Sequence, residues 1–212
     1  MIRNIVLAVR RLRRDDEAVA AVEFALIVPF LITLYFGSIE AAALFTVDKR
    51  LSSISSTIGD LVAQWDPGEG DLTTGTGGDL TDYLSASTGI MTPYSTTGLN
   101  IVVSLVQVKD DGTTKVLWSK ANASGTIKTV GNAYDDLSLA NAPQMNDVSQ
   151  GGCVVAAEVT YSYLPILGQV FKTALNLKHT NYFLPRYGSS TPIDVDTTPS
   201  PGLAADACTN QA

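Results

Sequence analysis

The chain has 212 residues, room for about one domain and an anchor, and with 45% apolar and 17% charged residues its composition is that of a folded protein. Its formal net charge is −7, and residues 66–212 carry 14 Asp+Glu against 7 Lys+Arg, an acidic body that argues against nucleic acid as a partner. His179 is the single histidine; with no G-x-S-x-G elbow and no cluster of His, Cys or carboxylate, the chain offers neither a hydrolase triad nor a transition-metal site, and we expect no enzyme, no catalytic residue, no cofactor and no metal.

Residues 1–18 form a basic leader containing Arg3, Arg10, Arg11, Arg13 and Arg14. Arginines clustered before an apolar run mark the cytoplasmic side, so the acidic bulk is expected across the membrane. Residues 19–39 are apolar apart from Glu23 and a few small hydroxyl residues. A run of that length spans the hydrocarbon core once as a helix. Pro29 removes one backbone hydrogen bond inside it and is expected to kink the helix without ending it. Glu23 is the anomaly: an ionisable group in a membrane run is costly and functional by default.

Residues 40–65 continue the helix. Leu51, Ile54, Ile58, Leu61, Val62 and Trp65 recur at spacings of three and four, one apolar stripe that has to pack on something. The stretch "DPGEGD" ends it. Residues 66–212 then read as an exported α+β domain. "DLTDYLSASTGIM" predicts a short helix with Leu80, Tyr83, Leu84 and Met91 inward. "NIVVSLVQV" and "TKVLWS", joined through Asp111-Gly112, predict a hairpin over 100–119 with a type I′ turn and Trp118 in the core. Residues 126–151 read as loop, Asp135 and Asp136 as solvated, and the Asn122 sequon as a chance match. "CVVAAEVTYSY" alternates, placing Cys153, Val155, Ala157, Val159, Tyr161 and Tyr163 on one face and Glu158, Thr160 and Ser162 on the other. "LPILGQVF" turns the chain and "KTALNLKHTNYFL" supplies a fourth strand. Cys153 and Cys208, both in the exported part, are expected to form a disulfide that ties down the C-terminal tail.

The stretch "AVAAVEFALIVPFLITLYFGSIEAAALF", with Val22-Glu23-Phe24-Ala25, then Pro29, then Gly37-Ser38-Ile39-Glu40, resembles the start of the TadE-like (TadE/TadG) pilus-assembly family of the Flp/Tad type IV pilus system. "VTYSYLPIL" at 159–167 resembles that family's strand and Tyr-x-Tyr-x-Pro turn. The resemblance implies a pilin-like fold, a long N-terminal helix packed on an antiparallel sheet of about four strands. It implies a minor pseudopilin in the bacterial inner membrane, N-terminus cytoplasmic and C-terminal domain periplasmic, with incorporation into the extracellular pilus left open.

The same resemblance implies cleavage by the prepilin peptidase between Ala18 and Val19, with Ala18 standing where the family places Gly. It implies assembly contacts through Glu23, Phe24 and Pro29, with other pilin subunits and an inner-membrane platform as partners and adhesion and biofilm formation as the outcome. The alternative is a single-pass anchored or secreted binding domain unrelated to pili, with a signal-peptidase site near Ala43.

Overall fold

The computed structural model describes residues 16–73, 80–122, 125–165, 173–187, 193–195 and 208. A single helix, α1 (Asp16–Ala63), leads. After a 3-10 turn at Pro67–Glu69 come helix α2 (Leu80–Thr88), strands β1 (Leu99–Val108) and β2 (Thr114–Ala121), a 3-10 turn at Asp135–Leu137, helix α3 (Pro143–Val148), and strands β3 (Gly152–Tyr163) and β4 (Leu175–Phe183). Of the leader, residues 1–15 lie outside the described part, as do 166–172 of the turn after β3.

At 48 residues, α1 is about 72 Å long. Pro29 sits inside it; its missing N–H leaves the Ala25 carbonyl without the usual helical donor. The helix ends two residues before the expected Trp65, because the Trp65 N–H reaches back three residues to the Val62 carbonyl at 3.2 Å. The Arg186 N–H donates to the Ala63 carbonyl at 2.8 Å, satisfying one of the orphan carbonyls of the last turn.

The four strands form one antiparallel sheet in the order β2-β1-β3-β4. On β1, Leu105 faces Trp118 of β2 and Val155 of β3. The register between β1 and β2 slips after Leu105, so Val106 pairs with Val116 and Leu117 is extra. This bulge lets consecutive residues Leu117 and Trp118 both enter the cluster beneath the helix. The hairpin is present, but its turn differs from the expected two-residue type I′. That turn needs positive φ at both central residues, and only Gly112 has it, at +76°. The Gly112 N–H closes on the Lys109 carbonyl at 2.8 Å and Lys109 then pairs with Thr113 at 2.9 Å, a three-residue loop with glycine in the left-handed position.

The distal half of α1 lies across β3 and β4. Val47, Leu51, Ile54, Ile58 and Val62 are fully buried there, together with Leu99, Ile101, Val103, Leu105, Val155 and Val159 of the sheet. Leu61, expected in the stripe, is turned outward, one residue and about 100° from Val62 on the wheel. Gly59 sets the closest approach: a Cβ there would stand 3.2 Å from that of Ala157 and would run into the Phe183 ring.

The other face of the sheet is a second finding. Alternation placed Glu158, Thr160 and Ser162 on this face, and 126–151 read as loop. Instead Val106, Val108, Val116, Val154 and Ala156 form a second buried cluster, covered by Tyr134, Leu137, Ala142 and Met145 from that same segment. The domain therefore has three layers: helix, sheet, and a cap containing the Asp135–Leu137 turn and α3. Periodicity missed the cap because its apolar residues follow no single period.

Cys153 and Cys208 are joined in a disulfide, their Cα atoms 5.0 Å apart. Closing a loop of sequence separation 55 restrains the unfolded chain by about 4 kcal/mol in a chain-entropy account. Ile193, Val195 and Cys208 are buried in the cluster under the helix, and Trp118 Nε1 donates to the Ile193 carbonyl at 2.7 Å. The described part of the tail is thus held by a covalent bond, by burial and by a hydrogen bond.

Candidate functional site

The N-terminal half of α1 is the part of the described molecule left uncovered by the rest. Val22, Phe24, Leu26, Ile27, Phe30, Leu31, Leu34, Tyr35, Phe36 and Phe45 are all exposed, and they point in every direction around the axis. A helix apolar on all sides belongs in lipid or among other helices. The described chain has one helix long and apolar enough to cross a membrane, Val19–Ala63, and the apolar window within it is wholly uncovered. Glu23 is exposed among these residues, and Phe24 and Pro29 lie beside it on the uncovered arm. Ala18 and Val19 fall in the first helical turn.

Of the side-chain ties between α1 and strands β3 and β4, three spaced along the helix fall in sequence order along both. The Ser55 hydroxyl donates to the Ala157 carbonyl at 2.7 Å in a buried contact. Asp48 Oδ1 lies 2.7 Å from Nε2 of His179, the residue opposite Val159. The Tyr163 hydroxyl donates to Glu40 Oε1 at 2.8 Å. The last tie joins the two segments that carry the family resemblance, Gly37-x-x-Glu40 and Tyr161-x-Tyr163-x-Pro165, which are 123 residues apart. Burial, and then the neighbouring Glu40 carboxylate, hold the Tyr163 phenol well above its ordinary pKa, so it stays a donor. His179 is therefore a strand residue that fastens the helix.

On the capped face, Glu158 is only 6% exposed and is surrounded by donors. The Tyr134 hydroxyl donates to it at 2.6 Å, Lys128 Nζ lies at 3.0 Å and Lys178 Nζ at 3.3 Å. Lys178 also meets Asp136 at 2.6 Å, so Asp136, expected to be solvated, is tied down. Burial works against the charge on Lys178, but Asp136 and Glu158 outweigh it and raise its pKa. Burial, and then Glu158, push the Tyr134 phenol far above the ordinary tyrosine range. Sequence reasoning missed this network; the available signal was a lone carboxylate between Ala157 and Val159 in the most apolar strand.

The Asn122 sequon is also occupied internally. Its Oδ1 accepts from the Ile101 N–H at 3.0 Å and its Nδ2 donates to the Leu99 carbonyl at 2.8 Å, extending the ladder past the end of β2. Among the described residues no group of three or more His, Cys, Asp or Glu is arranged to hold a metal.

No curated protein matches the chain, and no solved structure matches it. TadE-like proteins are in general structural components associated with the Tad pilus, a family that implies interaction with other pilus parts. The model of the TadE-like protein family matches residues 18–57, which hold the uncovered apolar arm, Glu23, Glu40 and the first half of the docked stripe, and this part of the chain is similar to that family.

Proposed function

We propose that the protein is a minor pseudopilin of a Tad-type (Flp) pilus that assembles by packing of its N-terminal helix. Residues 1–18 are the cytoplasmic leader, 19–39 the transmembrane helix, 40–65 its amphipathic continuation and 66–212 the periplasmic domain. The prepilin peptidase cuts between Ala18 and Val19. The arm then packs against other pilin and pseudopilin subunits on an inner-membrane platform, and the resulting fibre serves adhesion and biofilm formation.

One observation carries this reading: a single unbroken helix is docked on its own domain from Glu40 onward and uncovered before that point. An arm without an internal partner is built for an external one. Glu23 gives that partner its register. As the fifth residue after the cut it lies one helical turn from the new amino group at Val19, its own or a neighbour's, and pairing with an ammonium offsets the cost of a carboxylate in lipid. Phe24 and Pro29 shape the surface beside it.

The test combines N-terminal sequencing with Glu23→Ala. The mature chain is expected to begin at Val19, and Glu23→Ala to insert in the membrane normally while fibre assembly is lost. Normal fibres in that variant overturn the register contact; an intact Met1 leaves a plain anchor, and a start near Leu44 indicates signal peptidase.

A further inference from the structure

The periplasmic domain has an apolar rim at the end where the arm enters. The three ties fix which end that is. Ser55 meets Ala157, Asp48 meets the residue paired with Val159, and Glu40 meets Tyr163, so β3 runs antiparallel to α1 and its last residue lies level with Glu40. Between the outer ties the helix advances 15 residues, about 22 Å, and the strand six residues, about 20 Å. The two rulers agree.

Leu164, directly after β3, is 63% exposed, and Leu175, the first residue of β4 and the partner of Tyr163, is also exposed. On another side of the helix, Phe45 is 68% exposed. These side chains surround α1 within about two turns of Ile39. The apolar run from Val19 to Phe45 extends about 40 Å, longer than a hydrocarbon core of about 30 Å and close to the full bilayer thickness with headgroups. Lys49 is exposed one turn above Phe45, and among the described residues no acidic side chain pairs with it. Together with Arg50 and Phe45 it lines an open cleft.

We infer that this rim, Phe45, Leu164 and Leu175 with Lys49 above them, seats the domain on the membrane surface, the apolar side chains in the headgroup layer and the lysine on lipid phosphate. The inference rests on the membrane reading of the arm. Its chemistry is that of interfacial anchors: apolar and aromatic groups at headgroup depth with a cation directly above. The Tyr163 to Glu40 bond belongs to the same design, because it supplies a protein donor to a carboxylate at the point where water is lost. A domain seated in this way is held at a fixed height and rotation over its helix before assembly.

Bromolipid quenching of the full chain in phosphatidylcholine and phosphatidylglycerol vesicles tests it, with single tryptophans added. The native Trp65 and Trp118 lie roughly 25 Å or more beyond the rim along helix and strand and give a constant background. Leu164→Trp and Phe45→Trp are expected to lose emission with lipid brominated near the headgroup. Val148→Trp, at the far end of the domain beside the start of β3, is expected to keep it. Phe30→Trp, inside the arm, is expected to be quenched by bromines deep in the acyl chains. If Phe30→Trp is quenched while both rim reporters behave like Val148→Trp, the seating is wrong and the membrane anchor stands. If Phe30→Trp is not quenched, the membrane reading and the seating fail together.

Discussion

Leucine truncation at two points of α1 separates its two halves. Leu51 is fully buried between the helix and the sheet. Leu51→Ala removes three carbons from water-free surroundings, about 2.4 kcal/mol at roughly 0.8 kcal/mol per methylene. The neighbours are strands pinned on both sides and cannot collapse fully, so a residual cavity adds to this and places the total at about 3–4 kcal/mol, within the range of buried Leu→Ala changes. Leu34 is 58% exposed on the uncovered arm, so Leu34→Ala is expected to change domain stability by less than about 0.5 kcal/mol. The assay is urea unfolding of the full chain in detergent, followed by the emission of Trp118, which lies in the same cluster as Leu51. A loss below about 1 kcal/mol for Leu51→Ala, or equal losses for the two variants, refutes the division of the helix into a docked and a free half.

Two further outcomes follow from the buried tyrosines. Tyr134→Phe removes a hydrogen bond to a buried carboxylate and is expected to cost about 1.5–3 kcal/mol in the same unfolding assay; a neutral result means the lysines alone satisfy Glu158. The buried tyrosines also make stability fall in alkali. Tyr182 is pushed up to about 12, by burial first and then by Asp136 and Glu158, and Tyr134 and Tyr163 are raised further. A group whose folded pKa lies above its unfolded value near 10 stabilises fully below pH 10 and loses that contribution as pH rises from 10 through the folded value. Tyrosinate absorbance is expected to appear in two phases, exposed residues first and the buried set with unfolding; a single phase near pH 10 contradicts their burial.

The long helix was legible in the sequence because one element satisfied two periodic rules in turn, an all-round apolar run and then a stripe at spacings of three and four. The four strands were legible from alternation and from the Gly112 turn. The helix-side face of β3 was read correctly from Cys153 to Tyr163. The cap over the opposite face was not, since Tyr134, Leu137 and Met145 lie in short turns where packing, not period, selects the residues. Glu158 was assigned to the right face, but alternation cannot tell whether that face is wet or covered. Glu40 and Tyr163 were each noticed within a motif, yet the bond between them spans 123 residues, and no local pattern encodes a contact at that distance.

Two carboxylates on one apolar helix have opposite circumstances. Glu40 has a donor in Tyr163 at 2.8 Å, while Glu23 stands on the uncovered arm. They are 17 residues apart, about 26 Å along the axis, against a hydrocarbon thickness of about 30 Å. In the proposed membrane setting, with Glu40 held at the outer surface by its domain, Glu23 would stand a few ångström inside the opposite face, where its cost is below the maximum. Drawing the subunit outward, as assembly of a fibre requires, carries Glu23 toward the bilayer centre, where an ionised side chain costs roughly 2.5–3.5 kcal/mol on insertion scales. Outward movement therefore penalises an unpaired Glu23 and favours one already matched with an amino group. In the proposed pilus the same acid that is tolerable in the resting membrane becomes a condition on leaving it: only a subunit paired through Glu23 moves into the fibre without that penalty.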